Sequence, residues 1–204
     1  MTVDVFSGTS AAQVSDALGQ LTRDVSRSVV LVRGSRGSAG SGVVWDRPGL
    51  VLTNHHVVPG ATAQLTVSDG RRLTARVVRR APSLDLAMLS VDEGEDLSAL
   101  AARIGDSDAL RVGELVVAVG NPMGERNAPS VGILASAPHD VLRLAISLRP
   151  GNSGGALVNA REEIVGIPYM VTGGGLALAV SSRTVARFLS NPSVDSDGAH
   201  LIWI

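Results

Sequence analysis

Short runs rich in Val and Leu dominate the chain, and each is bounded by Gly, Pro, Asp or Asn. Runs of this length between turn-forming residues are typical of β-strands. Six runs precede an acidic segment at 91–113 and six follow it, which favours two similar β units joined by a linker. No sequence repeat relates the units. The runs are 28–33, 41–45, 50–54, 63–67, 72–79 and 84–90, then 114–119, 130–136, 141–147, 155–159, 163–170 and 176–181.

The composition supports an all-β fold. The 204 residues suffice for one large domain or two small ones packed together. Hydrophobic residues make up 45% and aromatic residues only 2%, so Val, Leu, Ile and Ala must form the core. The 23 glycines indicate many turns.

A helix is predicted at each end of the strand-rich region. Over 10–27 the apolar residues recur at helical spacing, and Ser10 with Gln13 fits a capping box. Over 182–190 the apolar residues again lie on one side, and Asn191-Pro192 ends the helix. The apolar positions are Val14, Leu18, Leu21 and Val25 in the first helix, and Val185, Phe188 and Leu189 in the second.

Charge and cysteine content narrow the choice of partners. The net charge is −1, from 18 basic and 19 acidic residues, so no basic field for nucleic acid is expected. We interpret the pairs Arg71-Arg72 and Arg79-Arg80 as solvated faces. The absence of cysteine excludes disulfides and thiolate metal sites. No run reaches the length of a transmembrane helix and no signal peptide is visible, which leaves the compartment undetermined.

The stretch Gly151-Asn152-Ser153-Gly154-Gly155 is the strongest candidate for chemistry. Its glycines permit backbone angles that other residues avoid, so the loop could aim the N–H groups of Gly151 and Ser153 at one point, as an oxyanion hole requires. The alternative is a Gly-rich hairpin with an incidental serine. The loop alone does not decide between these interpretations.

A serine nucleophile needs a base, and the chain has four histidines. His139 follows a proline and is interpreted as a turn residue, and His200 lies in a polar tail. His55 and His56 directly follow the apolar run at 50–52, where a histidine would be held rigidly and could face a cleft. A lone histidine in such a place is more often a satisfied core residue.

Asp85 is the candidate that would orient the base. It stands inside the apolar run Leu84–Leu89, and an aspartate buried there must be hydrogen-bonded. An imidazole N–H is a suitable partner. The alternative is a turn aspartate that caps backbone amides.

The order His56, Asp85, Ser153 is that of the chymotrypsin arrangement. Five motifs together resemble the HtrA/DegP family of trypsin-like serine proteases, over about residues 10–190. They are Ser41-Gly42-Val43-Val44, Leu52-Thr53-Asn54-His55-His56-Val57-Val58, Asp85-Leu86-Ala87, Gly120-Asn121-Pro122-Met123-Gly124 and Gly151-Asn152-Ser153-Gly154-Gly155-Ala156-Leu157.

The resemblance implies two six-stranded antiparallel β-barrels of the chymotrypsin type, with the active site between them. The N-terminal segment and helix would span 1–27, the first barrel 28–112, the second barrel 113–190 and a C-terminal tail 191–204. Relatives usually carry PDZ domains after the protease, and the 14 residues that follow Ser190 are too few for one.

The resemblance also implies the roles of the site residues. His56 matches the general base, with His55 at the variable position of the family pattern. Asp85 matches the orienting aspartate and Ser153 the nucleophile. Gly151 and Ser153 match the oxyanion-hole amides, with Asn152 between them. Pro150, which has no N–H to donate, departs from the expected pattern, with an effect on the loop that the sequence leaves open.

The expected function is that of a serine endopeptidase that cleaves unfolded or extended polypeptides without metal or cofactor. The alternative is a catalytically silent peptide-binding module of the same fold; a non-proteolytic esterase is a weaker rival. By resemblance, an extracytoplasmic location and a homotrimer formed through the N-terminal segment around Phe6 are further expectations.

Substrate preference is predicted from the residue six before the nucleophile, which lies at the base of the specificity pocket in chymotrypsin-like enzymes. Here that residue is Ser147, so no carboxylate is available to pair with Lys or Arg. We expect cleavage after Ala, Val, Ile or Leu. The expected pocket walls are Ile146, Ser147, Leu148, Leu176, Ala177, Leu178 and Ala179.

Overall fold

The computed structural model describes residues 10–45, 49–91, 95–138, 140–172 and 175–191. Phe6, His139, His200 and the segment from 192 to 204 lie outside these ranges, so the expectations attached to them stay predictions.

The first six strands form a closed antiparallel barrel in the order β1-β2-β3-β6-β5-β4. Its strands carry the Val-rich and Leu-rich runs that the sequence predicts, and many of these side chains line the interior of the barrel. The strands are β1 Val29–Arg33, β2 Ala39–Val44, β3 Leu50–Thr53, β4 Thr62–Thr66, β5 Arg72–Ala81 and β6 Leu86–Val91.

The last six strands form a second closed barrel in the order β7-β8-β9-β12-β11-β10. Strand for strand this repeats the order of the first barrel, although no sequence repeat relates them. The predicted fold of two six-stranded antiparallel barrels is therefore confirmed. The strands are β7 Leu115–Gly120, β8 Ala128–Ser136, β9 Val141–Ala145, β10 Ala156–Asn159, β11 Ile164–Val171 and β12 Ala177–Ser181.

In the part of the chain that the structure describes, the α-helices are α1, Ala11–Ser26, and α2, Ser182–Ser190. The capping box at the start of α1 is present: the Gln13 backbone N–H donates to Ser10 Oγ, and the Ser10 N–H donates to Gln13 Oε1. Val14 is 39% exposed, whereas Leu21 and Val25 are buried, so only the C-terminal half of α1 packs on the barrels.

Three clusters of buried side chains hold the molecule together. One fills each barrel, and the third, which we call the inter-barrel core, combines both barrels with both helices. Phe188 of α2 is fully buried in the inter-barrel core, which also contains Leu52 of the first barrel and Val119 of the second. Burying one such side chain stabilises the fold by about 1.5–3 kcal/mol.

The predicted linker is more ordered than its composition suggests. Leu97 is fully buried in the core of the first barrel, Ile104 forms a bridge with Ile164, and 3₁₀ turns occupy Ser98–Leu100 and Ser107–Ala109. The acidic start of the segment suggested a loose connection, but Leu97, Leu100, Ile104 and Leu110 pack against the barrels, whereas Val112 stays exposed.

Of the four arginines that we interpreted as solvated, Arg71 and Arg72 are exposed, whereas Arg79 and Arg80 are half-buried and bind protein carbonyls. The guanidinium of Arg79 stacks 4.4 Å from the centroid of the Phe188 ring and donates to the carbonyls of Phe188 and Asn191. Arg80 donates to the carbonyl of Gly60. Arg79 thus joins β5 of the first barrel to the end of α2.

Candidate active site

Asp85 lies in the turn before β6 rather than inside a strand. Its backbone is left-handed, with φ 50°, at the end of the 3₁₀ turn Pro82–Leu84. The Asp85 carbonyl accepts from the His55 N–H at 3.1 Å and from Asn54 Nδ2 at 2.8 Å. This turn therefore packs against the end of β3, where the adjacent histidines lie.

His56 and Asp85 meet through two hydrogen bonds. His56 Nδ1 is 2.7 Å from Asp85 Oδ2, and the His56 backbone N–H donates to Asp85 Oδ1 at 3.0 Å. Both alternatives for Asp85 are realised, because its carboxylate caps a backbone amide and contacts an imidazole. A carboxylate only accepts hydrogen bonds, so Nδ1 carries a proton, and in the neutral imidazole Nε2 then keeps its lone pair. The Asp85 side chain is 5% exposed and that of His56 is 49% exposed.

His55 has a different environment. Its Nδ1 lies 3.1 Å from Nη1 of Arg80. A guanidinium only donates, so this ring nitrogen accepts and the imidazole is neutral. Burial, followed by the positive charge of Arg80, lowers the pKa of His55. The two neighbouring histidines therefore use Nδ1 in opposite senses.

Hydrogen bonds fix the loop that carries Ser153. Asn152 donates to Arg149 O at 3.0 Å, Gly154 donates to Pro168 O at 2.9 Å and Gly155 donates to Asn152 O at 3.0 Å. Among the described residues, the N–H groups of Gly151 and Ser153 donate to no protein acceptor. These are the two amides that the resemblance assigns to an oxyanion hole.

The direction of the Gly151 N–H follows from the peptide that contains it. The Pro150 carbonyl accepts from the Met123 N–H at 3.0 Å. A trans peptide places its C=O and N–H on opposite sides, so the Gly151 N–H points away from Met123. Gly151 has φ +102°, and a Cβ there would lie 2.6 Å from Asn121 O, so the position requires glycine.

Ser153 and His56 line one cavity of about 510 Å³. Ser153 Oγ donates to the Tyr169 carbonyl at 3.4 Å, a long contact that leaves the hydroxyl able to rotate. Burial, followed by the negative charge of Asp85, raises the pKa of Tyr169 to about 12. The other lining residues are Ala39, Leu148, Arg149, Pro150, Gly151, Asn152, Tyr169 and Val171.

The residues predicted to line the specificity pocket lie in different places in the structure, some in two neighbouring cavities and others in the cores. Leu148 lines the cavity that contains Ser153. Ile146, Ser147, Leu148 and Leu176 line a neighbouring cavity of about 460 Å³, which shares Leu148 and Val171 with the first. Ala177 and Ala179 are fully buried in the core of the second barrel, and Leu178 packs against the inter-barrel core.

Sequence reasoning assigned five of the described residues that line this cavity to no catalytic or pocket role: Ala39, Arg149, Pro150, Tyr169 and Val171. Tyr169 and Val171 come from alternate positions of β11, and Ala39 starts β2. The apolar run of β11 identifies the strand but not which part of it faces the cleft. A tyrosine in a chain with 2% aromatic residues is the signal that could have drawn attention to Tyr169.

A comparison with protein families finds that the trypsin-like peptidase domain matches residues 40–167, more than half of the 204 residues. The chain belongs to the trypsin-like peptidase family. The matched range contains His56, Asp85 and Ser153, and it begins one residue before Ser41.

Within this family, the chain is similar to proteases of the HtrA group. Over 167 residues it is 36% identical to the periplasmic serine endoprotease DegP of Salmonella typhimurium, covering 74% of this chain and 35% of that protein. It is 35% identical to the serine protease Do-like HtrA of Lactobacillus helveticus, covering 75% of this chain and 42% of that protein. The chain thus spans little more than a third of the length of these relatives.

The solved structure of the HtrA-type protease AlgW with a tripeptide has the same fold. It superposes with a TM-score of 0.77 at 27% identity, covering 88% of this chain and 64% of that chain.

Among the residues that the structure describes, neither α1 nor α2 has the length and hydrophobicity of a membrane-spanning helix.

Proposed function

We propose that this chain is the catalytic domain of a serine endopeptidase in which Ser153 is the nucleophile, His56 the general base and Asp85 the orienting group. The observation that carries the proposal is the 2.7 Å contact between His56 Nδ1 and the buried Asp85 carboxylate. This contact leaves Nε2 free to accept a proton, on an imidazole that lines the same cavity as Ser153.

The residues then act in sequence. Ser153 Oγ turns from the Tyr169 carbonyl, attacks the carbonyl carbon of the scissile peptide and gives its proton to His56 Nε2. The N–H groups of Gly151 and Ser153 stabilise the negative charge that forms on the peptide oxygen. His56 protonates the departing amine. Water, deprotonated by His56, then attacks the acyl carbon, and the acid product leaves as His56 returns that proton to Ser153 Oγ.

The substrate is proposed to be an unfolded or extended polypeptide. A peptide carbonyl can enter between Ser153 and the two amides only if its own segment is free of helix or sheet hydrogen bonds. The walls given by Leu148, Tyr169 and Val171 favour a small or medium aliphatic side chain before the cleaved bond. Because several relatives bear the name periplasmic, we include an extracytoplasmic location in the proposal.

A fluorophosphonate probe and peptide hydrolysis test the proposal together. The wild-type protein should be labelled on Ser153 and should cleave an unfolded protein. Ser153→Ala should abolish both, and His56→Ala should lower hydrolysis by about 10⁶-fold. His55→Ala is the matched control and should retain most activity.

Two outcomes would contradict the proposal. A folded wild-type protein that is neither labelled nor active, yet binds extended peptides, would be a silent binding module. Activity in His56→Ala together with its loss in His55→Ala would assign the base to the wrong histidine.

A further inference from the structure

Ser41 of β2 joins the first barrel to the Ser153 loop of the second. It is fully buried. Its backbone N–H donates to the Ser153 carbonyl at 2.8 Å, and its Oγ donates to the Gly151 carbonyl at 2.7 Å. In the described part of the chain, these are the hydrogen bonds that the first barrel makes to residues 150–155.

The same hydroxyl accepts from Asn121. The Asn121 backbone N–H lies 2.7 Å and its Nδ2 3.2 Å from Ser41 Oγ. Asn121 precedes the turn Pro122–Gly124, in which the Met123 N–H holds the Pro150 carbonyl. Ser41 thus contacts Gly151 directly and supports, through this turn, the peptide that carries the Gly151 N–H.

We propose that Ser41 is a positioning residue that holds the Gly151 and Ser153 amides in the orientation that binds the oxyanion. The inference rests on the proposed function, since it concerns the same site. Without the hydroxyl, the Gly151 carbonyl and the Asn121 N–H lose a buried partner, and rotation of the backbone is the available relief. Gly151 resists such rotation least, because glycine occupies positive and negative φ about equally.

Serine suits this position because one small atom must both donate and accept. Its hydroxyl gives one hydrogen bond and has two lone pairs, which matches the Gly151 carbonyl and the two nitrogens of Asn121. Space is limited: a Cβ on Gly120 would lie 3.1 Å from Ser41 Oγ, and one on Gly154 would lie 2.2 Å from the Ser41 carbonyl. Alanine fits the space but offers neither function.

Ser182 provides a matched control far from the cavity. It is 4% exposed, its Oγ donates to the Gly105 carbonyl at 2.7 Å, and it accepts from the Ser107 N–H at 3.1 Å. Ser182→Ala therefore removes the same kinds of hydrogen bond as Ser41→Ala without touching the Ser153 loop.

The experiment compares kcat, KM and Tm of the two variants, with amide NMR spectra of Gly151 and Ser153. Ser41→Ala should lower kcat by about 10²–10³-fold, as loss of one oxyanion donor does, with KM changed less than about threefold. Its Gly151 and Ser153 amide signals should shift or broaden. Ser182→Ala should lower Tm comparably and leave kcat and both signals unchanged.

The inference is overturned if Ser41→Ala has a lower Tm than the wild-type protein but the same kcat and the same two amide signals. Ser41 would then have only a structural role. If Ser41→Ala does not fold, Ser41→Cys takes its place, and a wild-type kcat with unchanged amide signals would overturn the inference. If the wild-type protein hydrolyses nothing, the proposed function fails, and the amide signals alone decide the role of Ser41.

Discussion

Asp85 fixes His56 at two points, the ring through Nδ1 at 2.7 Å and the backbone through its N–H at 3.0 Å. One carboxylate therefore sets both the position of the residue and the plane of its imidazole. Since Asp85 is itself held by the turn before β6, the orientation of the His56 imidazole is set by the fold of the first barrel.

Replacing Asp85 with asparagine should change the tautomer of His56 while leaving the packing of the Asp85 turn intact. The amide oxygen can still accept from the His56 backbone N–H, so Tm should change little. The amide NH₂ then faces Nδ1 and favours the tautomer with the proton on Nε2, which cannot act as base. We expect kcat to fall by about 10⁴-fold.

The control for this substitution is Asp106→Asn. Asp106 caps the Asp108 N–H at 2.8 Å in an exposed turn, so the same change of side chain should leave kcat unaltered. A kcat of Asp85→Asn within tenfold of the wild-type value would exclude Asp85 as the orienting residue.

The walls of the cavity predict the bond that is cleaved. The phenol of Tyr169 is uncharged at neutral pH, since its pKa is raised to about 12, and the described lining includes no carboxylate but does include Arg149. An unpaired ammonium would be costly to bury there. A peptide-library digest read by mass spectrometry should show cleavage after Ala, Val, Ile or Leu.

Val171→Ala tests the walls directly. Enlarging the cavity should raise kcat/KM for larger residues relative to alanine at the same position of the peptide. Val131→Ala is the control, because Val131 lines only the neighbouring cavity. Dominant cleavage after Lys or Arg in the wild-type digest would be incompatible with this pocket.

His55 should make stability depend on pH. Its pKa in the folded protein is lowered by burial and by Arg80, so just below the ordinary value of about 6.5 the unfolded chain takes up a proton that the folded chain does not. Stability is therefore lost as the pH falls through this window. His55→Asn keeps an acceptor for Arg80 but does not titrate.

Circular dichroism melting curves at pH 7.5 and 5.5 measure this effect. The wild-type protein should lose more Tm on acidification than His55→Asn. Equal losses in the two proteins would mean that protonation of His55 is not coupled to folding.

Gly154 should tolerate no side chain. It has φ +82°, and a Cβ would lie 2.2 Å from the Ser41 carbonyl and 2.4 Å from Thr53 Oγ1. Gly70 has a similar φ of +93° with no atom within 4 Å of the Cβ position. Gly154→Ala should therefore lower the free energy of unfolding by about 1–3 kcal/mol more than Gly70→Ala in urea titrations. Equal losses would show that the contact with Ser41 can relax.

Sequence patterns predicted the features that depend on residues close together in the sequence, namely the helix cap and the strands. The capping box of Ser10 and Gln13 is local chemistry, and the apolar runs identify the strands because interior side chains need an apolar surface. The family resemblance supplied the closed barrels, which the structure confirms, and the triad, which stays a prediction. Two details differ from the sequence prediction. Strand β6 begins only after Asp85, and the predicted linker contains the fully buried Leu97.

What the sequence could not predict depends on contacts between distant segments. Ser41 and Gly151 are 110 positions apart, and Met123 and Pro150 meet through backbone atoms that carry no sequence signal. The placement of Tyr169 and Val171 in the cavity depends on how β11 lies against the other barrel. Such relationships follow from the packing of the barrels rather than from local composition.

The position of Phe188 has a consequence for the order of events during synthesis. This residue of α2 is fully buried among side chains of both barrels, and Arg79 of β5 binds the carbonyls at the end of the helix. A nascent chain stopped after Ser181 should therefore remain sensitive to added protease at the contact between the barrels, even though every strand has been made. We therefore expect the two barrels to pack stably against each other only after residues 182–190 have left the exit tunnel, when Phe188 can enter the inter-barrel core.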